Sequence, residues 1–527
     1  MKYNIMIKQF LLIVVWALFL SACTTVKKEN KERVVITKTT LQDKIAGGWA
    51  GKMLGVAYGV PTEFKALGEI YEKPINWQPS AIIRSQWEDD IYVQLTFMET
   101  MDKYGRDAPA KKYQELLGKA DYKLWHANVQ ARKNFHDSIF PPQSGHPDYN
   151  LHADDIDFQI EADYIGFMCP GMPQTINKMV DKIGHIMNYG EGVYGGAFIA
   201  SLYAEAYMQS DILKIINKAL LSIPIESDYS KIIQDVIAWY KQYPTDWRKT
   251  WRELESKWRP LNICEAGKKF NIDAKLNGAY IVLGLLYGEG DFDKTLEITT
   301  RCGQDSDCNP SNAAAVLGVV KGFSGLPTAY QEAVKQMGDS LFLHTSYSFN
   351  TAVKKTMDYA FEIISENEGE IMDTTVVVNI QKPVALPIED AFPGITLSKR
   401  LTIDKEKQSE WNIRGAWTID KENTALYSNK AGDEISLTFD GTGISIEGWW
   451  VKDGGKADIY VDGIWKRTID CFFYYAEQEH RGINIYHILN LPQGNHTIRL
   501  VVKGEKRAES TGTIIGITGA VVYKTVP

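Results

Sequence analysis

Gly303-Gln304-Asp305-Ser306-Asp307-Cys308-Asn309-Pro310, running on into Ala313-Ala314-Ala315-Val316-Leu317-Gly318, joins an acidic loop to a helix almost without bulk. Asn309 and Pro310 read as an N-cap and a first-turn proline. The apolar run carries on through Val320 and ends near Gly322 to Gly325. Side chains this small let neighbouring backbones come close, so the sequence predicts a central helix of a bundle. The preceding stretch agrees. Asp273 can cap a helix over 274–287, in which Leu276, Ala279, Tyr280, Leu283 and Leu286 recur at helical spacing before Gly288. Asp291 can cap the next helix, which carries Leu296 and Ile298 into the acidic loop. From residue 41 to about 366 the pattern is mainly helical.

A second acidic cluster, Trp87-Glu88-Asp89-Asp90, lies more than two hundred residues earlier and also precedes a helix-like apolar stretch. One or two acids there would only offset the helix dipole. Three in a row, matched by Asp305-x-Asp307, exceed that need. Adjacent carboxylates that are partly buried raise one another's pKa or recruit a cation, and carboxylate oxygens are what hard cations prefer. The two helix starts are therefore expected to face each other around a divalent ion.

Three further stretches bear on such a site. Gly47, Gly51, Gly55 and Gly59 share one helix face, a close helix contact on the plain reading, and lead to Pro61 and Glu63. The run 152–163 holds one His and five acids, of which Asp155 and Asp157 are expected to face a pocket. Residues 190–196, with Tyr189, Tyr194 and Gly195, read either as an aromatic loop covering a sugar or base, or as a helix-breaking turn.

The ends of the chain differ from this body. After a connector over 367–391, helix signals vanish and short β-rich runs alternate with Asp-Gly turns, such as 435–439 before Asp440-Gly441 and 457–461 before Asp462-Gly463. That is an antiparallel sandwich or jelly roll over 392–527. Trp449, Trp450, Phe472, Phe473, Tyr474 and Tyr475 there read as a sugar-stacking platform or as sandwich core and domain interface. At the other end Lys2 and Lys8 precede an apolar run over 10–20 and Leu20-Ser21-Ala22-Cys23. The run is too short for a permanent span. It reads as a bacterial lipoprotein signal over 1–23 with Cys23 lipidated, followed by a tether over 24–38. This predicts attachment at the outer membrane, cell surface or periplasm through a lipid anchor only. The other five cysteines match no zinc spacing, and no disulfide framework is expected. A chain of 527 residues with net charge −8 calls for more than one domain and argues against a nucleic-acid partner, which needs a basic face.

Taken together, 45–55 with Glu63, Glu88-Asp89-Asp90, and 303–318 resemble the ADP-ribosylglycohydrolase family. The resemblance implies an all-α domain over 39–366, here followed by the all-β sandwich, which itself looks like a galactose-binding-like module. It implies a pair of Mg²⁺ ions held by a Thr-Asp-Asp run and an Asp-x-Asp-Thr run, which fall on Glu88, Asp89, Asp90, Asp305, Asp307 and Cys308. Glu88 and Cys308 stand where the family has threonine. A thiol suits a hard cation poorly, so Cys308 is not expected to ligate; one or two ions, Mg²⁺ first and Ca²⁺ or Mn²⁺ next, fit the rest. The implied reaction is hydrolysis at an anomeric carbon, with Glu63 and Asp157 as acid/base candidates. An exported location favours glycans and nucleosides over ADP-ribosylated proteins, so the expected partner is a carbohydrate or nucleotide-sugar substrate with a furanosyl or related sugar. An ADP-ribosyl hydrolase and a non-enzymatic sugar-binding lipoprotein are the rival expectations.

Overall fold

A computed structural model describes residues 32–263, 265–403, 410–473 and 479–526. The signal and Cys23 lie outside these residues, as do Cys264, Tyr474 and Tyr475. The described chain is a helical domain followed by an antiparallel β-sandwich, the two-part architecture expected. No helix among the described residues is long and apolar enough to cross a membrane.

Three helices form the centre of the helical domain. They are α1 (Lys38–Gly59), α6 (Ala274–Gly288) and α8 (Cys308–Lys321), each buried on nearly every side. A helix without a polar face has to sit inside a bundle. The glycine ladder decides how α1 meets α8. A methyl group on Gly47 would lie 2.1 Å from Gly318 O, one on Gly51 2.3 Å from Ala314 O, and one on Gly55 2.3 Å from Ser311 Cα. On Gly59 it would lie 2.0 Å from Ser306 O. The two helices thus run antiparallel with backbones touching, and the ladder ends against the acidic loop. Gly55→Val is expected to cost more than the roughly 1–3 kcal/mol of ordinary overpacking, because backbone rather than a side-chain tip blocks it. The loss is read as a fall in the urea midpoint relative to a surface variant.

The caps differ in one place from the sequence reading. Asp273 accepts from Lys275 N at 2.8 Å and Asp291 from Lys294 N at 2.7 Å, as expected. The helix after the acidic loop, however, begins at Cys308 with Asp307 at the N-cap. Asn309 is inside it, its amide donating to Asn277 Oδ1 at 2.8 Å. Residues 190–196 are not a loop: α5 (Glu191–Ala206) starts there.

Part of the tether and part of the connector are structured. β1 (Arg33–Thr37) pairs antiparallel with β3 (Thr375–Asn379), which also pairs with β2 (Glu370–Ile371). Beyond β3 the chain runs extended over the helical domain. Gln381 N donates to Gly171 O at 3.0 Å, Leu386 N to Ser222 O at 3.1 Å, and the Tyr194 hydroxyl to Pro387 O at 2.8 Å. Proline-rich sequence without helix signals suits this extended path.

The sandwich is built from β4 (Ile395–Thr402) onward. One sheet has the order β11 (Ile464–Asp470), β10 (Lys456–Val461), β13 (Gly494–Val502), β8 (Glu434–Gly441) and β5 (Asn412–Arg414). The other has β12 (His480–Ile488), β9 (Gly443–Trp450), β14 (Ile515–Thr525), β7 (Leu426–Ser428) and β6 (Thr418–Ile419), with β4 also on β14. Alternation places Ile435, Leu437 and Phe439 inside. Asp462 and Gly463, both with positive φ, close the β10–β11 hairpin as an Asp-Gly turn should. Trp449, Trp450, Phe472 and Phe473 are buried, and Trp450 and Phe473 stack on each other 6.1 Å apart, so these four are core and interface rather than an open platform.

Candidate active site

The two acidic clusters meet. The glycine ladder presses the end of α1 onto the 303–307 loop, so Glu63, four residues past α1, comes to lie against Asp305 and Asp307. One ligand atom from each of these three carboxylates lies within 4.8 Å of the others. Asp90, in the first turn of α2 (Asp89–Tyr104), forms a second such group with Asp307 and Cys308. Asp307 belongs to both. Two left-handed residues shape the contact: Gln304 (φ 53°) accepts from Phe64 N at 3.1 Å through its carbonyl, and Phe64 itself has φ 51°. The Gln304 side chain also accepts from Asn271 N at 2.9 Å and donates to Lys269 O at 3.0 Å, tying three loops together. Strain of this kind persists only where surrounding contacts over-determine it.

Packing these carboxyls together penalises their charged forms. Burial, followed by Asp307 and Asp89, pushes Glu63 up to about 9. Burial with Asp307 and Asp90 pushes Glu88 up to about 8. Asp307 rises to about 6 through burial and Asp90, and burial drives Asp89 and Asp305 well above the ordinary carboxylate range. Asp305 Oδ1 and Asp307 Oδ1 are buried without a hydrogen-bond partner. Buried unpaired oxygens in an all-oxygen donor set are what a hard divalent cation would satisfy. The residues present therefore fit such an ion, held by Asp305 and Asp307 with Asp90 close to Asp307, while Glu63 borders the same cluster.

Cys308 Sγ lies within 4.8 Å of Asp90 and Asp307 ligand atoms, but a thiol suits a hard cation poorly. Its thiol donates to Asp90 Oδ2 at 3.1 Å, and burial beside Asp305 and Asp90 keeps it protonated. It does what a threonine hydroxyl would do as a donor, on a weaker scale. Ser311 Oγ also donates to Asp90, at 3.3 Å.

One residue of the site carried no signal in the sequence beyond its place in the glycine-rich helix. Lys52 is fully buried, with Nζ 3.0 Å from Asp90 Oδ1, 3.1 Å from Asp163 Oδ2 and 2.8 Å from Ile160 O. Burial alone would lower its pKa, but Asp163 and Asp90 outweigh that and hold it charged.

The 152–163 run lies beside the acid cluster. Asp157 heads α4 (Asp157–Glu161) and accepts from Asn128 N at 2.9 Å, while its Oδ2 is buried with no partner. Burial, with Asp155 next, lifts it to about 7. Asp155 is buried and pairs with His152 Nδ1 at 2.6 Å. The other substrate-binding expectations meet a different outcome. Tyr189 packs edge-on against His146 and His185. Tyr194 is buried beneath the connector, and Gly195 fits against the Gln159 side chain inside α5's packing. Tyr194 and Gly195 serve helix packing and the connector, while half-buried Tyr189 lines a separate cavity of about 430 Å³ with His146, His185 and Glu389. An apolar aromatic at helical spacing has no mark that distinguishes it from a ligand-stacking one.

The ADP-ribosylglycohydrolase family profile matches residues 37–354. A solved structure titled "ADP-ribosylglycohydrolase-related protein complex" is 13% identical, covering 61% of this chain and 99% of its own, with TM-score 0.41. Two curated proteins of Flavonifractor plautii are also similar over a short stretch. The "A type blood N-acetyl-alpha-D-galactosamine deacetylase" is 34% identical over 124 residues, 23% of this chain and 14% of its own length. The "A type blood alpha-D-galactosamine galactosaminidase" is 31% identical over 131 residues, 24% of this chain and 11% of its own length. This chain spans only a small part of either of those two proteins. The profile match takes in Glu63, the two acidic motifs and the glycine ladder, and the chain belongs to the ADP-ribosylglycohydrolase family.

Proposed function

We propose that this protein is an exported, lipid-anchored glycoside hydrolase that cleaves a glycosidic bond to a furanosyl or related sugar with the help of a divalent cation, Mg²⁺ first. The observation that carries the reading is the convergence of Glu63, Asp305 and Asp307 with unpaired buried oxygens, with Asp157 close enough to the neighbouring Asp89 to raise its pKa. A bound cation supplies charge compensation and a fixed hold on vicinal hydroxyls. Two carboxyls with separate environments can then divide the acid and base work. Glu63, standing beside the ion rather than on it and pushed toward its protonated form by burial and its acidic neighbours, can give a proton to the departing oxygen. Asp157, near 7, is in the range to take one from water. In balance, the anomeric C–O bond breaks, water oxygen bonds to that carbon, one water proton goes to Asp157, and the leaving oxygen takes its proton from Glu63. Cys308 donates to Asp90 and Lys52 balances its charge, neither of them touching the sugar.

The Flavonifractor similarities make amino-sugar glycans worth including among substrates. The test is a panel of aryl furanosides, aryl pyranosides including an N-acetylgalactosaminide, and ADP-ribosylated peptide, with Mg²⁺ or with EDTA. Release of sugar that EDTA abolishes is the expected result. Cleavage of the ADP-ribosylated peptide alone would shift the reading to ADP-ribosyl hydrolysis, and no cleavage of anything would leave a binding protein.

A further inference from the structure

We propose that the β-sandwich completes the substrate cleft. The pocket walled by Trp125 and His126 on the helical side and by His480, Arg481 and Asn484 on β12 is a second sugar subsite, taking a neutral glycan residue beside the one held over the acid cluster. The inference rests on the glycoside-hydrolase reading and names its substrate as a glycan of at least two residues.

The first support is continuity. Phe64, directly after Glu63, meets Phe270 with ring centroids 4.9 Å apart. Phe270 stacks on His126 at 5.4 Å, and His126 meets His152, the partner of Asp155, at 5.5 Å. Across the domain boundary, the Trp125 edge meets His480 at 6.2 Å. Ring contacts thus lead from Phe64 to His126, and Trp125, its neighbour in sequence, meets the sandwich; sugars present apolar C–H faces to such rings. His126, like Phe64, has positive φ, 41°, so both residues that start the path are held in a conformation non-glycine residues avoid.

The second support is the chemistry of the walls. The cavity is about 170 Å³ and contains Glu265, Glu447 and Arg481 in addition to the imidazoles. Its charges are matched: Glu265 lies 2.6 Å from Lys268, Glu447 2.6 Å from Arg400, and Arg481 3.4 Å from Glu479 while resting on the Trp449 ring. A pyrophosphate would have to break one of these pairs to find a cation, whereas hydroxyls would not. The histidines suit hydroxyls. Burial pushes His126 well below its ordinary value and His480 down to about 4, so both are neutral, each with one donor and one acceptor nitrogen. His480 Nε2 is buried with no hydrogen-bond partner. An unpaired polar atom at a cavity wall is costly unless a ligand meets it.

The experiment applies the full chain to an array of neutral and acidic oligosaccharides and monosaccharides, with ADP-ribose as a soluble competitor. Neutral glycans of two or more residues are expected to bind. His480→Ala and, separately, Trp125→Ala should each weaken them by about tenfold, the loss of one hydrogen bond or stacking contact. The two variants sit on opposite walls, so loss with both marks a shared subsite; loss with His480→Ala alone would mean the sandwich binds sugar by itself and would overturn the proposal. So would effective competition by ADP-ribose, undiminished glycan binding in both variants, or no glycan binding at all. Matching melting temperatures certify that the variants fold. The array needs no turnover, so binding lost with both variants while the panel above is never cleaved keeps the subsite and rejects the hydrolase. Cleavage of an aryl glycoside with glycan binding unaffected does the reverse.

Discussion

Asp307→Asn is expected to remove the protein's response to divalent cations and with it nearly all hydrolytic activity. Asp307 is the carboxylate common to both ligand groups, so its loss opens both. Even side chains one step removed from a metal typically cost 10–100-fold, so a direct ligand should cost more than about 100-fold. Stability gives a second readout that needs no substrate. In cation-free protein the clustered carboxyls keep their protons in the folded state at pH values where the unfolded chain has lost them. Their folded pKa values, about 6 for Asp307, 8 for Glu88 and 9 for Glu63, lie above the ordinary value near 4. The folded state then binds more protons than the unfolded one between pH ~4 and 9, so stability falls as pH rises through that window. The penalty is absent below it and complete above it. A saturating cation reverses this at the carboxylates that hold it by favouring their charged forms, adding about 2.7 kcal/mol at 100 times Kd. Asp307→Asn removes one charge from the cluster at constant volume. Its EDTA-treated form should melt higher than wild type at pH 8, decline less steeply with pH, and gain nothing from Mg²⁺. An unchanged Mg²⁺ shift in the variant would rule out this ligand set.

How far the sequence carries to this site follows from which interactions are local. The glycine ladder is local on its own helix, and four glycines on one face can only mean that something comes very near; the something is Gly318, Ala314, Ser311 and Ser306. The acidic motifs are local too, and the caps at Asp273 and Asp291 are short-range bonds that spacing predicts. What spacing does not carry is choice of partner. Asn309 could cap a helix or bridge to another, and Asn277, thirty-two positions away, takes it. β1 pairs with a strand more than three hundred residues on, so 33–37 read as tether until β3 is beside it. Tyr194 and the aromatics of β9 bear identical sequence signals whether they line a cleft or a core, and burial decided for the core. Lys52 is the sharpest case. It sits among the glycines as the one charged residue of the stretch 47–59, and its three partners come from α2 and from residues 160 and 163.

Lys52→Met is expected to destabilise the cation-free protein by about 3–5 kcal/mol, because it strips the counter-charge from two buried carboxylates at once. Methionine fills nearly the same space, so packing loss is a minor part. Asp163 is left with donors from the Tyr203 hydroxyl and from Asn312 Nδ2 at 2.9 Å, Asp90 with those from Ser311 and Cys308, and these are neutral groups that offset only a fraction of a full charge. Two further measurements separate this cause from a general loss of fit. Lys52→Met with Asp163→Asn should recover part of the stability lost in the single variant, since one orphaned charge is gone; additive losses would show that Lys52 does not act through that pair. Mg²⁺ should also raise the melting temperature of Lys52→Met by more than it raises wild type. In the wild type Lys52 already neutralises half of what Asp90 offers, and removing it leaves that carboxylate for the ion alone. If Lys52→Met instead binds Mg²⁺ more weakly than wild type, then Asp90 depends on the ammonium for its position, and the lysine holds the ligand in place rather than competing for it.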